Sequence, residues 1–258
     1  MCVYDKKSIS LTSLTLDIEE AKRFGPLRGC REDLSLNSSN LLPLFVDTLS
    51  SKDDIRIRIW RELLRKGVAL PPFPIYGRIP NFKGAEEAAL RLRAVDEYSR
   101  AEVVLCNPDS PQRPVREIAL RDGKMLIVAT PRLSKGFVAV ERSRDPAYAS
   151  TIRGFMELGR PVKPGDYKVD VFVAGSVAVD LEGYRLGKGT GYSDVEFKLW
   201  SDAGSVTDRT LRVTTVHDLQ VVDMVPRDSW DVPIDLILTP TRSIWTVQAK
   251  RLGKVPWR

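Results

Sequence analysis

The segment Gly187-Lys188-Gly189-Thr190-Gly191 places three glycines at alternate positions. Lacking a Cβ, each lets the backbone approach a ligand closely and reach positive φ freely, so successive N–H groups can converge on oxygen anions. If Tyr192 to Ala203 is helical, its N-terminus adds exposed donors and the positive end of the helix dipole. Arg185 and Lys188 bring full positive charges beside the turn. Together these features suit a bound phosphate. Asp194, three residues after Gly191, can hold Mg²⁺ against phosphate oxygens, since that ion takes one or two carboxylates with phosphate and water. It can equally cap the helix. An ordinary glycine-rich turn explains a bare GxGxG as well as binding does, and the spacing meets neither the Walker loop nor the dinucleotide GxGxxG pattern.

A second polar group comprises Lys83, Asn107, Asp109, Gln112, Arg113 and Arg116, at expected loop and strand ends. Open α/β sheets bind ligands at such ends. Lys83, Arg113 and Arg116 are candidates to pair with a phosphate or a substrate carboxylate. Alternatively, Pro108, Pro111 and Pro114 shape a turn whose charges are simply solvated. His217 is the only histidine, and its place after an expected strand reads better as structural than as a general base. No nucleophile elbow surrounds any serine and Cys106 has no basic neighbour in sequence, so neither Ser-His-Asp nor Cys-His chemistry is signalled.

Positioning these groups falls to alternating helices and strands. Ile55, Ile59 and Leu63, with Trp60 and Leu64, recur at helical spacing up to a stop at Gly67, and Gly84 to Val95 repeats the pattern. Further helices are expected over Pro114–Arg121, Pro146–Leu158 and Tyr192–Ala203. Strands are expected at Glu102–Cys106, Met125–Ala129, Phe137–Val140, Leu211–Val216, Ile234–Leu238 and Ile244–Val247, with a strand, bend, strand unit broken by Gly175 over Val169–Val179. This alternation predicts one α/β domain over residues 51–258, a single largely parallel sheet flanked by helices on both faces. Residues 1–50, which show no sustained period, are expected to be an accessory extension.

Composition sets the outer bounds. Forty basic and thirty-four acidic residues leave a net charge of +6 and a pI near 9.2. That suits anionic ligands, but the charge is not gathered into one tract, so nucleic acid is permitted and not favoured. No apolar run approaches the roughly 18 residues of a membrane span. Cys2, Cys30 and Cys106 form no CxxC pair, signalling neither a disulfide framework nor zinc. With no secretory signal in Met1–Asn40, a reducing cytoplasm is the expected location.

The wider string Gly183-Tyr184-Arg185-Leu186-Gly187-Lys188-Gly189-Thr190-Gly191-Tyr192-Ser193-Asp194, preceded by Val173 to Asp180, resembles the signature of the 5-formyltetrahydrofolate cyclo-ligase family. Its usual form there is G-x-R-L-G-x-G-x-G-Y-Y-D-R after a hydrophobic strand. Lys52-Asp53-Asp54-Ile55-Arg56 is similar to the family's opening K-x-x-L-R motif, and Gln220, Pro226, Asp231-Val232 and Asp235 to Thr239 to its closing pattern. The resemblance runs from about Lys52 to Ile244. It implies ATP-dependent conversion of 5-formyltetrahydrofolate, or a related pterin, to the 5,10-methenyl form with release of ADP and phosphate. It implies that Lys52, Arg56, Gly187, Lys188, Gly189, Thr190, Gly191 and Tyr192 bind ATP. Arg185, Lys188 and Asp194 would serve catalysis, with Mg²⁺ on Asp194. Lys83, Arg113 and Arg116 remain the substrate candidates on their residue types alone, because their segment does not reproduce the family's substrate-side region. A monomer is expected. Ser193 stands where the second Tyr is usual and Val195 where Arg is usual. With the altered middle segment, they motivate an alternative, a non-catalytic nucleotide- or RNA-binding module on the same fold.

Overall fold

The computed structural model describes residues 51–228 and 231–255, so the expected N-terminal extension, residues 1–50, lies outside the described residues. Ser51 opens α1 (Lys52–Arg65) with a capping box, its hydroxyl accepting from the Asp54 N–H while the Asp54 carboxylate accepts from the Ser51 N–H. The apolar stripe Ile55, Ile59, Trp60 and Leu63 is buried, as the period predicts. An antiparallel pair follows, β1 (Ala69–Leu70) and β2 (Asn81–Phe82), then α2 (Ala85–Leu90) and α3 (Asp96–Arg100). The helix expected over Gly84–Val95 is thus shorter: Arg91–Ala94 tightens into a 3-10 turn, and Val95 is extended before α3 begins.

The chain continues through β3 (Val103–Cys106), α4 (Arg113–Arg121), β4 (Met125–Ala129) and β5 (Phe137–Val140). Next, α5 (Pro146–Ala149) and α6 (Ile152–Leu158) replace the single helix expected there. The break lies at Thr151, whose hydroxyl accepts from the Gly154 N–H at 2.9 Å and so caps a fresh start. β6 (Arg160–Val162), β7 (Val171–Ala174), β8 (Ala178–Asp180), β9 (Arg185–Leu186) and α7 (Tyr192–Asp202) come next. β10 (Leu211–Thr215), β11 (Val221–Val222), β12 (Leu236–Leu238), β13 (Ser243–Trp245) and α8 (Val247–Arg251) complete the order.

Eight strands form the main sheet in the order β13-β12-β10-β7-β3-β4-β5-β6. The run from β12 to β4 is parallel, while β13, β5 and β6 join antiparallel at the edges. Strand residues alternate between two cores. Val104, Cys106, Leu126 and Val171 pack under Ala89, Ile118 and Phe155 from α2, α4 and α6. Val103, Leu105, Ile127 and Phe172 face Trp200 of α7. Burial on both faces explains why these strands read as unbroken apolar runs.

The main sheet is the largely parallel, helix-flanked one that the alternation predicts, and after Gly175 the chain leaves it. β8 pairs with β9 and β11 in a separate three-stranded sheet. There Ile55, Ile59 and Leu63 of α1 pack on Val177, Ala178 and Leu186. In the main sheet the chain steps outward from β3 to β4 and the edge strands, then returns to β7 on the other side of β3 and moves outward again. The winding reverses between β3 and β7, and in open α/β sheets the crevice beyond the carboxyl ends of such strands is where ligands bind.

Candidate functional site

Asn107, directly after β3, and Gly175, directly after β7, meet in that crevice. The Asn107 Oδ1 accepts from the Gly175 N–H at 2.9 Å and from the Ser193 hydroxyl. Its Nδ2 donates to Glu196 Oε2 at 2.5 Å. Since Oδ1 must face the two donors, the amide orientation is fixed by its partners. Asn107 is 1% exposed and Glu196 4% exposed. Burial, reinforced by the nearby Asp109 carboxylate, pushes the Glu196 carboxyl up to about 8. At neutral pH it therefore sits beside the cationic groups of the site largely without charge.

The glycine turn lies next to this network. Gly189 and Gly191 take φ of +97° and +71°, left-handed values that side chains resist. Gly191 is the N-cap of α7, and no side chain caps that helix. The N–H groups of Lys188, Gly189, Thr190 and Gly191 donate to no acceptor among the described residues. Arg56 of α1 reaches across to this turn, donating from Nε to the Gly187 carbonyl at 2.8 Å and from Nη1 to Asp53 at 2.6 Å. Arg185, its side chain 6% exposed, pairs with Asp194 at 2.5 Å and donates to the Gly175 carbonyl at 3.3 Å. Lys188 pairs with Asp109 at 2.9 Å. Three cations thus ring a set of free backbone donors at the start of an eleven-residue helix, an arrangement that favours a multiply charged anion.

The structure therefore gathers Arg56, Arg185, Lys188, Asp194 and the turn Gly187–Gly191 into one place. The side chain of Tyr192 lies outside the described residues. Lys52 sits one helical turn before Arg56, its ammonium held by Asp228 at 2.6 Å and Asp231 at 3.1 Å. Burial works against its charge, but those two carboxylates outweigh it and raise its pKa. Lys83 and Arg113 are exposed and line a groove of about 620 Å³ between α2 and α4. Arg116, expected to hold substrate, is 1% exposed. It donates to the carbonyls of Ser150, Asn107 and Asp109 at 2.9, 2.7 and 3.0 Å. Arg116 thus holds buried backbone through Nε and Nη1 and lies apart from the exposed Lys83 and Arg113 with which it was expected to hold substrate.

His217 caps a 3-10 turn, its Nδ1 accepting from the Leu219 N–H at 3.1 Å, and packs edge-on against Phe82. Burial lowers its pKa, which fits the structural reading. Glu196 is the residue that sequence reasoning missed. Its signal was the inward stripe of α7, because Glu196 lies three residues after Ser193 and four before the fully buried Trp200.

Comparison with known proteins bears on the family and fold of the chain. Residues 49–240 match the model of the 5-formyltetrahydrofolate cyclo-ligase family. The chain is 40% identical over 207 residues to a methenyltetrahydrofolate synthase domain-containing protein of Danio rerio, covering 76% of this chain and 54% of that protein. It is 38% identical over 207 residues to the protein of the same description from Homo sapiens, with coverage of 76% and 54%. The chain thus spans about half the length of these curated relatives. Its fold is similar to that of the 5,10-methenyltetrahydrofolate synthetase of Aquifex aeolicus, with a TM-score of 0.50 and 21% identity, covering 75% of this chain and 92% of that one.

Proposed function

The chain belongs to the 5-formyltetrahydrofolate cyclo-ligase family, and on that premise we propose that it converts 5-formyltetrahydrofolate, or a related pterin, to the 5,10-methenyl form at the expense of ATP. The observation that carries this reading is the uncapped start of α7, with free turn N–H groups between Arg56, Arg185 and Lys188 at the β3–β7 switch point. In the reaction the formyl oxygen bonds to the γ-phosphorus as the bond to ADP breaks. N10 then attacks the activated carbon and gives up its proton, and the carbon–oxygen bond breaks to release phosphate. Phosphorylation turns a poor oxygen leaving group into a good one. The chain's task is alignment and charge stabilisation, as in phosphoryl transfer generally.

In this reading the N–H groups of the turn hold phosphate oxygens, while Lys188 and Arg185 exchange Asp109 and Asp194 for phosphate. Asp194 is 48% exposed at its side chain, and once released by Arg185 it would be the carboxylate available to hold Mg²⁺. Mg²⁺ would neutralise charge on the transferred phosphate. Among the described residues no helix is long and apolar enough to cross a membrane.

A second reading, a nucleotide-binding module without ligase chemistry, draws on the carboxylate pairing of the site cations. Lys188, Arg185 and Lys52 are each engaged by aspartate. One assay separates the two. Purified protein with ATP, Mg²⁺ and 5-formyltetrahydrofolate should form the methenyl product, followed by its absorbance, and K188A should lower kcat/KM by about a hundredfold, the scale of losing a charge-assisted contact to phosphate. Nucleotide binding without product would favour the module.

A further inference from the structure

The amide of Asn107 is committed at both ends, to Gly175 and Ser193 through Oδ1 and to Glu196 through Nδ2. These bonds join the end of β3, the end of β7 and the first turns of α7. Because Gly191 is the N-cap of α7, whatever fixes the helix's first turns also fixes the glycine turn that leads into it. A carboxyl held at 4% exposure is costly unless hydrogen-bonded, and its bond here runs to the residue that closes the crevice. Asp109 from the segment after β3, Arg185 from β9 and Lys188 from the turn are the charged groups around it.

We propose that Glu196 is a positioning residue: through Asn107 it holds the glycine turn and the start of α7 in register with the β3–β7 crevice, and thereby sets the affinity for a nucleotide polyphosphate. The affinity half of this inference rests on the nucleotide reading of the turn. Glutamine at this position keeps a carbonyl acceptor for the Asn107 amide, whereas leucine removes it and leaves a buried donor unpaired.

The test compares the parent protein with E196Q and E196L by amide hydrogen exchange of residues 194–200, the first hydrogen-bonded turns of α7, and by calorimetric titration with MgATP. In E196L, exchange of that segment should accelerate about tenfold relative to β4 and β12. Its Kd for MgATP should rise about tenfold, equivalent to about 1.4 kcal/mol. E196Q should restore both to within about threefold of the parent, a rescue that general destabilisation would not give. Unchanged exchange in E196L, or equal damage in E196Q, would overturn the positioning role. Absence of MgATP binding by the parent, with the exchange contrast intact, would overturn the nucleotide reading and the affinity half alone. Should E196L fail to fold, S193A removes one half-buried anchor of the same network. It should show a smaller acceleration confined to the same residues, and no acceleration would overturn the proposal.

Discussion

Arg113 and Arg116 lie three residues apart on α4, yet their environments differ sharply. Arg113 is exposed at the groove between α2 and α4. Arg116 is buried and satisfies three backbone carbonyls around the end of β3. Alanine at 116 leaves those acceptors without a partner in a dry environment, so urea denaturation of R116A should show a loss of about 3 kcal/mol. R113A, which removes only two long contacts at 3.4 Å, should lose less than about 0.5 kcal/mol. Equal losses would contradict the assignment. Residue type marked both arginines as anion candidates; only tertiary packing separates them, because the run Arg113-Pro114-Val115-Arg116 does not reveal which guanidinium points inward. Arg185, Lys188 and Asp194 were legible for the opposite reason. They flank a turn whose glycines announce a close backbone approach, so local chemistry and final position coincide. Glu196 was obscured by its type, since glutamate on a helix normally reads as solvated.

Among elements, the unit from β8 through the glycine turn to α7 carries the site, and its glycines do different work. Gly183, at φ +107°, lies where a Cβ would come within 2.4 Å of the Ile234 carbonyl, so backbone would have to move to admit it. Gly189, at φ +97°, would meet nothing closer than Arg56 at 3.8 Å. G183A should therefore destabilise the fold by more than about 2 kcal/mol, combining positive-φ strain with a backbone clash. G189A should cost about 1 kcal/mol of stability from strain alone. Since that strain falls on the anion cradle, G189A should also weaken MgATP binding, and thermal melts with and without nucleotide separate the two effects. Equal melting losses for the two variants would contradict this division. Element existence was readable from period: α1, α4, α7 and the buried strands stand where the pattern puts them. Short pieces escaped it. β1, β2 and β11 have two residues each, too few for an alternation to register. The split between α5 and α6 depends on Thr151, a capping side chain inside an otherwise continuous helical period.

At the scale of the whole molecule, alternation of helices and strands was enough to give the sheet class, but not the departure of β8, β9 and β11 into a second sheet. That departure is set by long-range pairing of strands two and three residues long, for which no local pattern exists. The same long-range packing places Glu196 in the protein interior, and this ties the site to global stability. An acid whose pKa is raised by folding holds its proton in the native state after the unfolded chain has lost it. The group starts to ionise in the unfolded state near 4.5 and in the native state near 8. Between those values the native state binds more protons, so stability falls as pH rises, and the loss is complete once both states are ionised. E196Q carries no such group, while its amide still accepts from Asn107. The unfolding free energy of E196Q relative to the parent should therefore rise from pH 4.5 to pH 8 by at least about 1 kcal/mol, the scale of a single pKa unit. Above pH 8 the difference should level off. Urea denaturation of both proteins at several pH values measures it, and a difference that stays flat across this window would place an ionised Glu196 in the native protein and remove the uncharged carboxyl from the site.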